Sequence, residues 1–389
     1  MLLNSHNVFD YLSDRNLCNS SDKGLSKIES LSAKNFNLLI TLPDCNKLLV
    51  KQERHDLEGN TAGEFQREWR IQEWLQKFPE QQYLSPFLPK LLHFDAPNSI
   101  AVFRYLNDYR DVMDFYSKES DFPTEIPRII GKLLADIHRD TYDREIHRQF
   151  FTQEDSSKID YQVPRLIRRL EKVKPEIFGS IPDDGIKFFI LYQKYDSLGR
   201  AIAELGQAFM PSCLTHNDVK LNNILLHTDW KKTEESKIIL IDWERNSWGD
   251  PAFDLGTIIG NYIQIWLSSL VISKSLSIEE SLKLAMTPLE KVQPSIAALT
   301  KSYLETFPDI VEYRGDFLLR VVQFTGFVLI QQIQAMIQYQ KSFGNTGIAM
   351  LQVAKALLCR RERSIPTVFG KAALEIVQLG TSAENLIKK

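Results

Sequence analysis

The sequence predicts an α+β protein in which a small antiparallel sheet with one helix, residues 1–105, precedes a larger and mainly helical part, residues 106–389. Three observations predict it. Short strand-like runs, separated by turn residues, crowd the first hundred or so positions. One strong helix pattern interrupts them. From Ile126 onward, apolar residues recur at helical spacing almost to the end, apart from two short apolar runs that each carry one aspartate at a loop edge.

The elements follow in order. Asn7 to Leu17 reads as a short amphipathic helix, then Leu25 to Leu31, Phe36 to Leu42 and Lys47 to Gln52 as strands. Pro43-Asp44-Cys45-Asn46 has the composition of a hairpin turn between the last two. The small and polar residues Ser32-Ala33-Lys34-Asn35, between the first two, would let backbone N–H groups approach phosphates, although no glycine is present. Glu64 to Phe78 sets Phe65, Trp69, Ile71, Trp74 and Leu75 on or near one helix face. Pro86 to Phe94 and Ser99 to Leu106 read as two more strands around Ala96-Pro97-Asn98, and Tyr105 to Asp108 as a hinge. Ile126 to Arg139 is helical, Thr141 to Ser157 polar and irregular. Pro164 to Val173 and Ile186 to Phe209 form a helical pair around the loop Gly179 to Gly185. Thr257 to Leu386 is helical again, broken near Pro288, Pro308 and Gly344.

A chain of 389 residues can bury a large core in one or two domains. A net charge of -3 argues against a general nucleic-acid binder. The four cysteines, Cys18, Cys45, Cys213 and Cys359, have no paired metal spacing and read as reduced thiols of a cytoplasmic protein. Met1 to Cys18 lacks a basic start and carries Asp10 and Asp14, unlike a signal peptide. Phe317 to Ile337 is strongly apolar, but Arg320, Gln323, Gln331, Gln332 and Gln334 make it a core helix rather than a lipid-facing span. No membrane partner is expected.

Leu214 to Gly256 concentrates the chemistry. It contains His216-Asn217-Asp218-Val219-Lys220-Leu221-Asn222-Asn223, then Ile238-Ile239-Leu240-Ile241-Asp242-Trp243-Glu244, then Gly249-Asp250-Pro251-Ala252-Phe253-Asp254-Leu255-Gly256. An aspartate, an asparagine five residues on and a second aspartate ending a buried strand suit phosphoryl transfer. Asp218 is the candidate base that takes the acceptor's proton. A lone aspartate would read as a cap or turn residue, but His216, Asn223 and Asp242 at fitting spacing outweigh that. Asn223 and Asp242 are the candidate magnesium ligands. A strand holds its last side chain rigidly, as a metal ligand requires. His216 reads as a residue that shapes the loop. Lys220 either faces the transferring phosphoryl group or is a solvated loop lysine. Lys51 is the candidate for the nucleotide phosphates, with Glu68 on the next helix as its partner and Glu64 and Glu73 as rivals. Asp250 and Asp254 read as structural, one capping a helix and one supporting the loop at His216.

These motifs resemble those of the aminoglycoside phosphotransferase and choline kinase-like superfamily. Softer matches are Glu68 in the helix ending Trp74-Leu75, Leu92-His93-Phe94-Asp95 and Leu134-Ala135-Asp136-Ile137-His138. The resemblance implies a two-lobed, protein kinase-like fold with a small sheet lobe, a large helical lobe and ATP in the cleft. Adenine would lie against the hinge at Phe103, Tyr105 and Leu106. It also implies Asp218 as base, Asn223 and Asp242 on Mg2+, and Lys51 on the phosphates. Asn35 matches an asparagine common in the nucleotide loop, whereas the expected glycines are missing there. Asn217 stands where drug-modifying members usually carry glycine.

The expected function is therefore ATP- and Mg2+-dependent phosphorylation of a hydroxyl on a small molecule. Lys220 also resembles protein kinases, which keeps open a kinase for Ser or Thr of a precursor peptide, as in lanthipeptide pathways. A pseudokinase scaffold is the third reading, opposed by the retained Lys51, Glu68, Asp218, Asn223 and Asp242. From Gln340 to Lys389 eight lysines and arginines face three glutamates, which disfavours a cationic drug as acceptor. Arg165, Arg168, Arg169, Arg360, Arg361 and Arg363 are the candidates to meet an anionic or peptidic acceptor, although the spacing of the first three reads more readily as a solvated helix face and the last three as a surface run.

Overall fold

A computed structural model of the chain describes residues 1–31, 34–152, 163–171, 181–233, 236–271, 273, 275–276 and 278–381. The chain opens with α1 (Val8–Ser13), β1 (Lys27–Leu31), β2 (Phe36–Thr41), β3 (Lys47–Gln52) and α2 (Glu64–Lys77). Then come β4 (Leu91–Asp95), β5 (Ile100–Arg104), β6 (Tyr109–Asp111), α3 (Val112–Glu119), α4 (Glu125–Thr141) and α5 (Glu145–Thr152). They are followed by α6 (Val163–Glu171), α7 (Asp183–Gln193), α8 (Asp196–Gln207), β7 (Cys213–Thr215), β8 (Ile224–His227), β9 (Ile238–Leu240) and β10 (Ser247–Gly249). The remainder is helical: α9 (Pro251–Ser268), α10 (Ile278–Lys283), α11 (Leu289–Thr306), α12 (Ile310–Tyr313), α13 (Phe317–Gln340), α14 (Asn345–Cys359), α15 (Arg361–Phe369) and α16 (Ala373–Leu379).

The described residues fall into two compact units. Unit one holds those of Met1–Phe115 and Asn222–Asn246; unit two holds those of Tyr116–Glu154, Asp160–Leu221 and Ser247–Lys389.

In unit one, β1-β2-β3-β5-β4 form an antiparallel sheet. The Pro43–Asn46 turn closes β2 onto β3, with Cys45 at φ +65° and Asp44 accepting the Asn46 N–H. Alternation along each strand gives the sheet two apolar faces. Leu38, Ile40, Leu48, Val50, Ile100 and Val102 pack under Leu3, Val8, Phe9, Tyr11 and Leu12 of the N-terminal segment. Ala101 and Phe103 pack with Phe65 of α2 on the other face, which Lys51 shares by its register opposite Ala101. A second sheet, β6-β8-β9, belongs to the same unit.

Some local expectations fail for identifiable reasons. The strand expected over Pro86 to Phe94 begins only at Leu91, after a 3-10 turn over Pro79–Phe87. Pro86 and Pro89 have no N–H for a ladder. α1 stops at Ser13, and the chain then turns through Asn16 at φ +57°. The helix expected over Ile186 to Phe209 is two, broken at Lys194 and Tyr195. Part of the stretch read as irregular, Glu145–Thr152, is helical. Ser32 and Ala33 of the first strand connection, and residues 172–180, lie outside the described residues.

In unit two, α13 packs against α9 and α14. By length and composition α13 is apolar enough to cross a membrane, yet 78% of its apolar window is buried among its neighbours. Gly256 permits its approach to α9, since a Cβ there would stand 2.9 Å from the Val321 carbonyl oxygen. Asp250 caps α9 through the Ala252 N–H and receives the Met210 N–H. Burial pushes the Asp250 carboxyl up, and the Arg314 guanidinium, 2.6 Å away and as deeply buried, opposes the shift. Arg314→Met would strand that carboxylate. Urea unfolding should then show a loss of about 3–5 kcal/mol; a loss under about 1 kcal/mol would mean that the capped N–H groups satisfy Asp250 alone.

Candidate active site

In unit one, β3 carries Lys51 and the end of β9 leads into Asp242. The two are 191 residues apart in sequence, and Lys51 Nζ donates to Asp242 Oδ1 at 2.7 Å. Asp242 holds φ +61°, a left-handed conformation that aspartate tolerates better than most residues. Burial works against the Lys51 charge, but Asp242, with Glu68 behind it, raises the pKa and keeps the ammonium protonated. The Asn223 carbonyl accepts the Ile241 N–H at 2.9 Å, so Asn223 and Asp242 are tied together through the backbone.

The expected direct Lys51–Glu68 pair is not formed; Asp242 takes the ammonium. Glu68 is buried, accepts the Trp243 N–H and leaves Oε2 without a hydrogen-bond partner. Burial raises its pKa, and the Lys51 charge opposes the rise. The two rivals are engaged elsewhere: Glu64 pairs with Lys34 and accepts from Asn35 at 3.4 Å, and Glu73 accepts from the Trp69 indole. Phe103 is buried in the sheet, 5.2 Å from the Lys51 ammonium, while Tyr105 is exposed and Leu106 half-buried just beyond β5.

Sequence reasoning gave Glu244 no role, although it lies two residues past Asp242. Its carbonyl accepts from Arg67 Nε on α2, and Asn246 donates back to the Arg67 carbonyl. The Glu244 carboxyl is pushed from 4.5 up to about 7, by burial first and then by Glu64 and Asp242, against Lys34 and Arg245. A carboxyl raised in the folded state stabilises the fold while it keeps its proton. That contribution is complete below its unfolded value and disappears as pH rises through about 7. The urea midpoint should therefore fall between about pH 5 and 8, and fall less in Glu244→Gln; equal slopes would exclude Glu244 as the cause.

In unit two, antiparallel β7 and β10 present the loop that carries His216, Asn217 and Asp218. Asp254, fully buried in the first turn of α9, accepts the His216 N–H at 2.7 Å and the Asn217 N–H at 2.8 Å. Asn217 has φ +61°, and its side chain donates to Ser247 Oγ. The buried His216 ring accepts the Asp218 N–H at Nδ1. Lys220 reaches back to Asp218, Nζ to Oδ1 at 2.9 Å, instead of standing alone in solvent.

Of the arginines proposed for an acceptor, Arg361 is engaged by carboxylates, Glu204 and Glu362, while Arg168, Arg360 and Arg363 are exposed. Arg320 shares Glu204 and also holds Asp316.

An α+β chain with a five-stranded antiparallel sheet and a mainly helical remainder has the fold of the choline and ethanolamine kinase structures. The family model described as APH, phosphotransferase enzyme family, matches residues 30–274, and the chain belongs to that family, whose members use ATP. A curated relative, 4-hydroxytryptamine kinase of Psilocybe cyanescens, is 22% identical over 176 residues, 45% of this chain and 46% of that protein. The chain thus spans about half the length of the curated relative it matches. The structure of a Plasmodium vivax ethanolamine kinase is similar with a TM-score of 0.54 and 14% identity, over 92% of this chain and 91% of that one. That likeness shows the fold. An ADP-bound aminoglycoside phosphotransferase, APH(2'')-Ib, has a TM-score of 0.48 and 16% identity over 92% and 99%.

Proposed function

We propose that the protein transfers the γ-phosphoryl group of Mg-ATP to a hydroxyl of a small molecule, with amine-bearing alcohols and phenols first in line. The observation that carries this reading is the Lys51–Asp242 pair beside Asn223. It assembles a phosphate-seeking cation and two oxygen donors from distant parts of the sequence. The donor set fits magnesium, which takes one or two carboxylates and completes its shell with phosphate and water. The buried Glu68 Oε2, which has no hydrogen-bond partner, is a further oxygen acceptor in unit one.

Bound Mg2+ would neutralise charge on the phosphates. Asp242 and Asn223 would hold it, and Lys51 would pass from Asp242 to phosphate oxygens. Asp218 would accept the acceptor's proton. Lys220, already on Asp218, would meet the negative charge arriving there. Two observations support an amine-bearing acceptor. One is the partial match to 4-hydroxytryptamine kinase. The other is the pairing of Arg361 with Glu204, which weakens the charge argument against a cation.

The test is transfer of labelled γ-phosphate from ATP into a size-fractionated metabolite extract, followed by a panel of hydroxylated amines. Label in the small-molecule fraction is expected. Label confined to polypeptide would instead establish the peptide-kinase reading.

A further inference from the structure

The backbone before Asp218 is held in a left-handed turn, its two N–H groups by Asp254 and the Asn217 side chain by Thr215 and Ser247. Asn217 sits at φ +61°, and the bonds from the His216 and Asn217 N–H groups to Asp254 bracket it. The main-chain direction entering Asp218 therefore depends in part on where the Asp254 carboxylate lies. That carboxylate has a third neighbour. His138 of α4 places Nε2 3.4 Å from Asp254 Oδ2, and its other nitrogen, Nδ1, is 2.9 Å from the Tyr303 hydroxyl of α11.

Asp254, His138 and Tyr303 are at most 1% exposed, so no bulk water competes for these contacts. A carboxylate only accepts, which puts the ring hydrogen on Nε2 and leaves Nδ1 to receive the Tyr303 O–H. Burial pushes the Tyr303 phenol well up, so it remains a donor. Its ring is stacked on Phe317, with centroids 5.6 Å apart and planes 14° apart, which places the hydroxyl independently of the hydrogen bond. α11 lies against α4.

We propose that Tyr303 is a positioning residue for the transfer reaction: its hydroxyl fixes the tautomer and ring plane of His138, which steadies Asp254 and through it residues 216–218. The proposal rests on the reading of Asp218 as the base. Tyr303 lies 85 residues beyond Asp218 and touches neither nucleotide nor acceptor in this account.

The test is Tyr303→Phe, which keeps the ring and removes only the hydroxyl. Three quantities are measured: 15N shifts of labelled histidine rings, amide hydrogen exchange at His216 and Asn217, and steady-state kinetics. The His138 ring should lose its single-tautomer pattern, and the two amides should exchange about tenfold faster. kcat should fall about tenfold with KM for ATP unchanged, the scale of a small misplacement of a reacting group. Adding His138→Gln, whose side-chain amide can donate to Asp254 without help from Tyr303, should restore slow exchange and most of kcat. Unchanged exchange at His216 and Asn217 overturns the proposal, as does a drop in kcat matched by an equal loss of folded protein. Faster exchange with undiminished kcat also overturns the proposal, whereas the reading of Asp218 as base fails separately, if Asp218→Asn turns over like the parent.

Discussion

Asp218→Asn should lower kcat by at least about a hundredfold and leave Mg-ATP affinity within about twofold of the parent, the pattern for losing a general base. The substitution is nearly isosteric, and the loop has anchors other than the Asp218 carboxylate. Asp254 holds the two preceding amides, and the His216 ring takes the Asp218 N–H. What is lost is the proposed proton acceptor and the charged partner of Lys220, whose ammonium lies 2.9 Å away. Steady-state kinetics and nucleotide calorimetry on the same preparation check both halves. A folded Asp218→Asn protein that turns over like the parent would remove Asp218 from the chemistry.

Asp242→Asn should abolish the magnesium dependence of nucleotide binding and reduce turnover by more than about a hundredfold. Asparagine is preferable to alanine here because it also tolerates the left-handed backbone at φ +61°. Only the charge is then removed. Lys51→Met provides the comparison. It takes away the phosphate cation and leaves a metal ligand, so nucleotide binding should weaken while magnesium still strengthens it. Calorimetry with ATP, with and without Mg2+, separates the two variants. If Asp242→Asn binds Mg-ATP as the parent does, the metal assignment at Asp242 and Asn223 is wrong.

Much of the fold was legible because its determinants are local. The Pro43–Asn46 turn and the 2-residue alternation on either side define the β2–β3 hairpin, with Lys47–Gln52 found over the expected residues. The Glu64 helix announced itself by spacing, and the Asp250 cap by its place before Pro251 and Ala252. Pairings over long sequence distances were less legible. Lys51 had three glutamates on α2 to choose from, and its partner is an aspartate 191 residues away. The basic run at Arg360 to Arg363 reads from sequence as a surface run or an anion receptor, and nothing local announces that Glu204 of α8 holds Arg361. Tyr303 carries no local signal, because a hydroxyl that matters for one buried imidazole looks like any aromatic position on a core helix.

The return of Asn222–Asn246 to unit one has a consequence for the order of events during synthesis. β6 finds its partner β8 only after Tyr116–Leu221 has been made. At about 5–20 residues per second that interval is roughly 5 to 20 seconds. Throughout it the nascent sheet holds Lys51 on its α2-facing side with Asp242 not yet translated, and β6 stands as an unpaired edge. Unpaired edges template association between chains. β6 is only three residues long and carries Arg110 and Asp111, features that blunt an open edge, and a chain terminated before Asn222 would keep that edge open.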